Sequence, residues 1–181
     1  MNPIRYAKRT CTDQEHINAF LAAARVGHLG LTDGLEPYVV PLNFCWLNGS
    51  VYFHGAEAGR KTDIMQKNNR VCFTVCEEYG TIADPVPALT DTAYMSVILF
   101  GSIERVEDPE EMRDALQAML DKYVPSYYDR PLPVSHVVKY RSSMGSAAAV
   151  FRIRPDRLTA KANPLSEAKR FSPGRTHKMD V

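Results

Sequence analysis

The chain has 181 residues, of which 45% are hydrophobic and 24% are charged. One domain with its own core is expected at this length, and the composition argues against a disordered or fibrous protein. The formal net charge is only +1, so nucleic acid is not expected as a partner, because domains that bind it carry a basic excess.

Membrane binding and a metal site are also not expected. No apolar run approaches the ~20 residues that span a bilayer, and Met1–Thr12 contains no apolar signal segment. The four cysteines match no zinc motif and are expected to be reduced thiols of a cytoplasmic protein. Cys72 and Cys76 would lie ~13 Å apart on a strand, which is too far for one metal ion.

The first predicted element is a helix. Thr12 and Glu15 form the pattern of a capping box, with Thr12 as the N-cap, and apolar residues at helical spacing extend the helix to about Arg25. Gly27 is expected to end it. Strands then follow at 28–32, 38–47 and 51–54, joined by tight hairpins at Asp33-Gly34 and Asn48-Gly49, which predicts an antiparallel meander.

Further strands and helices are predicted in the second half of the chain. Gly101 is expected to mark a close approach in a long strand, and Asp108-Pro109 to begin a helix. The other predicted elements are helices at 59–69 and 134–141, strands at 71–75, 94–106 and 147–153 with an extension at 158–160, and a loop at 78–89. The fold class is therefore mainly β, an antiparallel barrel with a few peripheral helices.

Charge is distributed unevenly along the chain. Residues 104–114 are acidic, and the end of the chain, from Arg152 to Lys178, is basic. We interpret the acidic run as a solvated helix face and residues 163–181 as a basic, mobile tail. In the alternative interpretation, the cations of the tail hold an anionic ligand or a partner subunit.

A phosphate site is one interpretation of the segment after the third strand. Gly59-Arg60-Lys61 places two cations at the start of a helix, where free backbone N–H groups and the helix dipole attract phosphate. His54 ends the strand just before this segment. The simpler interpretation is that Arg60 and Lys61 are surface charges and that His54 satisfies a local hydrogen bond.

The strand that contains Pro41 is a second candidate. Proline donates no ladder hydrogen bond, so it confines a strand to a sheet edge or a break. Pro37–Phe44 would then present free backbone donors and acceptors, which a flat heteroaromatic ring such as isoalloxazine can use; the alternative is an ordinary edge strand. The sequence contains no hydrolase elbow, Walker loop, zinc-protease motif or dinucleotide glycine motif.

Taken in order, these motifs resemble the FMN-binding split-barrel superfamily, which includes pyridoxamine 5′-phosphate oxidases. The resemblance covers roughly Gly27 to Leu120 and is nearest to the nitroimidazole-resistance (Nim-like) branch. The motifs that carry it are Pro37-Tyr38-Val39-Val40-Pro41-Leu42-Asn43-Phe44, Tyr52-Phe53-His54-Gly55-Ala56, Gly59-Arg60-Lys61, Asn68-Asn69-Arg70-Val71 and Ser96-Val97-Ile98-Leu99-Phe100-Gly101 followed by Glu104.

The resemblance implies a split-barrel domain over residues 1–162 and a homodimer with FMN at the subunit interface. The strand residues 39–43 would line the flavin ring largely through their backbone, and Arg60 and Lys61 would bind the phosphate. His54 is expected to be catalytic, in the reduction of a nitro compound. The cofactor-binding residues that the resemblance implies are Val39, Val40, Pro41, Leu42, Asn43, Phe53, His54, Arg60, Lys61 and Ser96.

Three functions stay open. The first is an FMN-dependent oxidoreductase that passes electrons, with a reduced nicotinamide as donor, to nitro compounds or similar small acceptors. The second is a non-catalytic flavin-binding or electron-carrier protein, and the third is a haem- or deazaflavin-binding member of the same fold. Pyridoxamine phosphate oxidases end in a strand with tryptophan and arginine that completes the substrate site. Here the only tryptophan is Trp46, so vitamin B6 is not the expected substrate.

Overall fold

Eight strands in one antiparallel sheet and four α-helices form the computed structural model, which describes residues 5–139 and 148–181. The mainly β class with peripheral helices is as the sequence predicts. The strands are β1 (Thr10–Cys11), β2 (Val26–Thr32), β3 (Pro37–Asn43), β4 (Cys45–Leu47), β5 (Ser50–Ala56), β6 (Arg70–Ile82), β7 (Asp91–Arg105) and β8 (Ala148–Asn163). The helices are α1 (Gln14–Ala23), α2 (Arg60–Lys67), α3 (Pro109–Tyr123) and α4 (Val134–Lys139).

The order of the strands makes this a split barrel. The sheet runs β3-β2-β6-β7-β8-β5-β4, and β1 is added to β8. Although β3 and β4 are consecutive in the chain, they lie at opposite ends of this order, because the chain leaves β2 at Phe44 and then pairs with β5. The single strand predicted at 38–47 is therefore divided between the two halves of the barrel, and the predicted meander is wrong.

Two apolar clusters hold the fold together. The larger fills the barrel, where Phe44 meets Phe73 edge-on at 5.2 Å and Phe53 stacks on Phe151 at 5.3 Å between ring centroids. Burying one such side chain stabilises a fold by about 1.5–3 kcal/mol. The smaller cluster lies outside the barrel, where α3 covers β4, β5 and β8.

The start of α1 and the role of Gly27 differ from the prediction. The N-cap is Asp13 rather than Thr12, and its carboxylate accepts the Glu15 and His16 N–H groups at 3.0 and 3.1 Å. Gly27 does not end the helix but lies within β2, where a Cβ would approach the Phe73 ring to 2.1 Å. Gly27 is needed because the Phe73 ring packs against it, and the sequence does not show that these two residues are in contact.

Both predicted hairpins form, but only one of them has the predicted two-residue turn. Asn48-Gly49 forms the tight turn between β4 and β5, with positive φ at both residues. By contrast, Thr32 pairs with Pro37, so Asp33-Gly34 belongs to a longer loop over residues 33–36. The Asp33 carboxylate organises that loop by accepting the N–H groups of Leu35 and Glu36 at 3.0 and 3.3 Å.

The hairpin of β6 and β7 is longer than predicted. β6 extends to Ile82, into the predicted loop at 78–89, because β7 pairs with it along its whole length around a bulge between Glu78 and Gly80. The close approach at Gly101 is confirmed, since a Cβ there would lie 2.0 Å from the Arg154 carbonyl oxygen. The Asp108 N-cap of α3 is confirmed as well. Residues 140, 141 and 147 of the predicted elements lie outside the described residues.

The basic end of the chain folds back on the far end of β6. Lys169 pairs with Asp84 at 2.9 Å, and Arg170 donates to the Tyr79 carbonyl oxygen at 3.0 Å. Arg175 pairs with Asp180 at 2.6 Å. The division between a domain at 1–162 and a mobile tail at 163–181 stays a prediction. Within residues 5–139 and 148–181, no helix is both long and apolar enough to cross a bilayer.

Candidate functional site

The split leaves two backbone edges without a strand partner. Among the described residues, β3 pairs with β2 alone, and the last part of β5, Phe53–Ala56, pairs with β8 alone. Such edges offer N–H and C=O groups to whatever lies beside them. The first turn of α2 contacts both edges through Arg60 and Lys61. We define the split as the space between β3 and the end of β5 beside this turn.

The predicted flavin strand presents alternate side chains to the two faces of the sheet. Val39, Pro41 and Asn43 are exposed, whereas Val40 and Leu42 are half-buried on the core side. Pro41 cannot donate a backbone hydrogen bond, so the edge of β3 is richer in acceptors there. This arrangement leaves the backbone of β3 open to a ligand that needs both donors and acceptors.

Lys61 lies at the end of the split. Its ammonium is 5.1 Å from the ring centroid of Phe53 and 5.3 Å from that of Phe151. A Cβ on Gly55 would lie only 2.5 Å from the same nitrogen. Burial lowers the pKa of Lys61, and in the described parts of the chain no carboxylate pairs with it. A desolvated cation of this kind attracts an anion.

Arg60 turns the other way. Its guanidinium pairs with Glu36 at 2.8 Å and stacks 4.5 Å over the Tyr38 ring, at the start of β3. The structure therefore separates the two cations that the sequence places side by side. Arg60 anchors α2 to β3 in this conformation, and Lys61 is the cation that faces the end of β5.

His54 and Phe53 have opposite surroundings. His54 has considerable solvent-accessible surface near the end of β5, but neighbouring groups partly desolvate its imidazole. This desolvation, together with the charge of Lys61, lowers the pKa of His54. The lowered pKa favours the neutral imidazole, which can accept a proton. The Phe53 ring is fully buried in the barrel, so only its backbone is available to a ligand.

Ser96 is not brought to this site within one chain. It lies on the outer face of β7, between Cys76 on β6 and Lys161 on β8. Two strands, β2 and β6, separate β7 from β3. From β5, the other edge of the split, β7 is separated by one strand, β8.

Two groups of contact residues were missed by the sequence interpretation. Gly55 makes room for the Lys61 ammonium, and a glycine inside a strand is a signal for such an approach. Glu36 and Tyr38 fix Arg60. Nothing in the sequence indicates that Arg60 contacts Glu36 and Tyr38, because these contacts depend on the course of the 33–36 loop.

A separate cleft lies beside the start of α3. Its volume is ≈ 500 Å³, and its walls include the acidic residues 108–114 and two arginines. Arg152 donates to Glu104 at 2.6 Å and also pairs with Glu111, to which the Tyr52 hydroxyl donates at 2.8 Å. Arg154 also pairs with Glu104, at 2.8 Å, so both arginines of the cleft have carboxylate partners. In residues 5–139 and 148–181, no group of three His, Cys, Asp or Glu side chains could hold a metal ion.

Comparison with known proteins places the chain in a family. Residues 13–162 match the family model described as pyridoxamine 5′-phosphate oxidase. No curated protein matches the sequence. The flavocytochrome Anf3 from Azotobacter vinelandii is 25% identical, with a TM-score of 0.74, over 92% of this chain and 76% of that one.

Two further solved structures are similar. A candidate 5-nitroimidazole antibiotic resistance protein from Bacteroides thetaiotaomicron is 27% identical, with a TM-score of 0.66, over 84% of this chain and 85% of that one. A FAD- and haem-binding protein from Mycobacterium smegmatis shares the fold, with a TM-score of 0.69 at 16% identity, over 91% of this chain and 76% of that one. Because the family model extends from α1 to the end of β8, the chain belongs to the pyridoxamine 5′-phosphate oxidase family.

Proposed function

We propose that this chain binds FMN in the split and is an FMN-dependent oxidoreductase. The observation that carries the proposal is Lys61, whose desolvated ammonium lies at the end of two open strand edges without a carboxylate partner in the described residues. Holding a cation in this way is unfavourable unless an anion joins it. The phosphate monoester of FMN is an anion of the required size and charge.

The other parts of the site suit the rest of the cofactor. The first N–H groups of α2 have no side-chain cap and can also donate to the phosphate. The open edge of β3, Val39–Asn43, offers backbone groups to the polar end of the ring. When bound, FMN supplies hydride or electron transfer between a reduced nicotinamide and a small acceptor, for which we propose nitro compounds. His54 would hold or release the proton that accompanies this transfer.

The similar structures support this proposal in two ways. The 25% identical neighbour is a flavocytochrome, and the 27% identical neighbour is named for resistance to nitroimidazoles. The first supports a flavin cofactor, and the second supports a nitro compound as acceptor. The four free cysteines support a reducing compartment, for which we propose the cytoplasm.

A homodimer is part of the proposal. The outer face of the sheet exposes apolar side chains on three strands: Val39 on β3, Val26 on the adjacent β2, and Ile98 on β7, with β6 between β2 and β7. Most soluble oligomers are homo-oligomers, so we propose that a second copy of the chain covers these side chains. Ser96 lies on this face, so the partner could bring it to the flavin. Light scattering at twice the chain mass is expected, and a monomer at micromolar concentration would contradict the dimer.

The first test is the visible absorption spectrum of the purified protein, before and after addition of FMN and then of dithionite. A flavin spectrum that shifts on binding and bleaches on reduction is expected. A protein that neither retains nor rebinds FMN would refute the proposal. An intense Soret band, or tighter binding of a deazaflavin than of FMN, would favour the alternative ligands of this fold.

A second test separates an enzyme from a flavin carrier. Steady oxidation of a reduced nicotinamide with a nitroaromatic acceptor is expected, and His54→Ala should slow it strongly while FMN stays bound. His16→Ala, which removes an exposed imidazole on α1, is the matched control and should have no effect. Bound FMN without turnover for any acceptor would indicate the non-catalytic, electron-carrier function instead.

A further inference from the structure

The split begins at one defined point of the chain. The β2–β3 ladder ends with the pair Val26 and Asn43, and in this register the next pair would be Arg25 and Phe44. That pair does not form, because the chain turns at Phe44 to join β5 as β4. The backbone groups of a missing rung, once buried, need other partners.

The Tyr123 hydroxyl provides those partners. The Phe44 N–H donates to its oxygen at 3.0 Å. The Tyr123 hydroxyl in turn donates to two carbonyl oxygens, that of Arg25 at 2.5 Å and that of Phe44 at 3.0 Å. One phenol at the end of α3 thus replaces the missing rung and contacts both strands where they separate.

The surroundings hold this phenol in place. The Arg25 guanidinium lies 4.8 Å over the Tyr123 ring. The Lys122 ammonium lies 4.1 Å over the fully buried Phe44 ring and donates to the Leu21 carbonyl oxygen at 3.3 Å. Burial raises the pKa of Tyr123, so the hydroxyl keeps its proton at physiological pH and can act as a donor.

We propose that Tyr123 is a positioning residue for the flavin site, because its hydroxyl fixes the point at which β3 leaves β2. Phe44 directly follows the stretch 39–43 that is proposed to line the flavin. If Phe44 loses its partners, the end of β3 can shift in register or fray, and the backbone edge offered to the ring is no longer fixed. This inference rests on the proposed function, since the positioned ligand is the proposed FMN.

A purely structural role is the alternative, in which Tyr123 only docks α3. The two roles differ in where the damage appears. A docking role predicts a uniform loss of stability, whereas a positioning role predicts local opening of β3 and weaker binding in a protein that stays folded.

The experiment compares Tyr123→Phe with Asp108→Ala. The first keeps the ring and removes only the hydroxyl. The second removes the N-cap at the other end of α3, ~22 Å away, and weakens the same helix. Amide hydrogen exchange in cofactor-free protein and FMN affinity by fluorescence titration are measured for both variants and for the wild type.

In Tyr123→Phe we expect amides of β3 to exchange about 5- to 10-fold faster and FMN to bind about 5- to 10-fold more weakly, as for the loss of one buried hydrogen bond. The amides of β7 should be unchanged, and the spectrum of bound flavin should shift. Asp108→Ala should show none of these local effects. Unchanged β3 exchange and FMN affinity in Tyr123→Phe, or equal weakening by Asp108→Ala, would overturn the inference.

The two proposals fail in different ways. If the wild type does not bind FMN, the proposed function fails and the flavin part of this inference fails with it. If the wild type binds FMN and Tyr123→Phe binds it equally well, only the inference fails.

Discussion

The cleft beside α3 and the turn at the start of α2 both contain cations, but these cations differ in whether carboxylates pair with them. In the cleft, Arg152 is saturated by Glu104 and Glu111. At the turn, Lys61 is shielded by two phenyl rings and has no carboxylate partner among the described residues. The difference makes the turn the better candidate for an anionic ligand, because a desolvated charge without a carboxylate partner gains free energy when an anion binds.

Replacing Arg152 tests the structural side of the comparison. Arg152→Met removes the cation that Glu111 shares with Glu104, and whereas Glu104 keeps Arg154 at 2.8 Å, Glu111 keeps only the Tyr52 hydroxyl among its described partners. The free energy of unfolding should therefore fall by about 2–3 kcal/mol. Urea denaturation measures this, and FMN affinity below the unfolding range should not change. A loss of FMN binding at unchanged stability would instead place the ligand in the cleft.

Replacing Lys61 tests the functional side. Lys61→Met should weaken FMN by about 1.5–3 kcal/mol, the value of a charge-assisted hydrogen bond. The stability of the cofactor-free protein should be unchanged or higher, since a shielded charge has been removed. Lys67→Met, at the exposed end of the same helix, is the matched control for isothermal titration. Equal FMN affinity in wild type and Lys61→Met would remove Lys61 from the phosphate site.

Lys122 tests whether burial alone lowers the pKa of a lysine enough to make the stability of the fold depend on pH. Burial lowers the pKa of Lys122 to about 8. An unfolded lysine keeps its proton to higher pH, so the unfolded chain binds more protons and stability should rise with pH above 8. Burial also raises the pKa of Cys45 to about 11, which opposes this rise above the ordinary thiol value of 9.0.

The useful window for Lys122 is therefore between pH 8 and 9. Across it, the stability of wild type relative to Lys122→Met should rise by up to about 1 kcal/mol. Urea unfolding of both proteins at several pH values measures the difference. A difference that stays flat across the window would show that Lys122 is not desolvated in solution.

His54 gives the smallest effect and reports how close it lies to Lys61. Its folded pKa is below the unfolded value, so its contribution to stability is complete above the ordinary value of 6.5 and is lost as pH falls through the folded pKa. In Lys61→Met the pKa of His54 should rise toward that ordinary value. Titration of the imidazole by NMR in cofactor-free protein measures it. A pKa identical in the two proteins would mean that Lys61 exerts no field at His54.

The local elements could be predicted where one short pattern decides the structure. Asn48-Gly49 fixes its turn through positive φ, and Asp108 caps α3, so both are found from a few residues. Gly27 looked like a helix stop because the same residue type serves turns and close packing. Only the position of Phe73, far along the chain, decides between these roles.

The candidate site could be predicted in composition but not in arrangement. Arg60 and Lys61 are adjacent in sequence, yet they point to different strands, because Glu36 and Tyr38 capture Arg60. The break at Phe44 was also hidden, since the stretch 38–47 reads as one continuous strand. The backbone groups freed at this break bond to a tyrosine on a helix that comes much later in the chain. Such long-range partners leave no local signature.

The last strand has a consequence for how the protein is made. β8 pairs with β1, β5 and β7, so residues 148–163 connect the two halves of the barrel and join the start of the chain to its end. While the ribosome is still making the preceding residues, β5 and β7 have open edges that can pair with other chains. Folding should therefore be slow and finish only after synthesis is nearly complete. A chain truncated before residue 148 should aggregate rather than accumulate as a smaller folded domain.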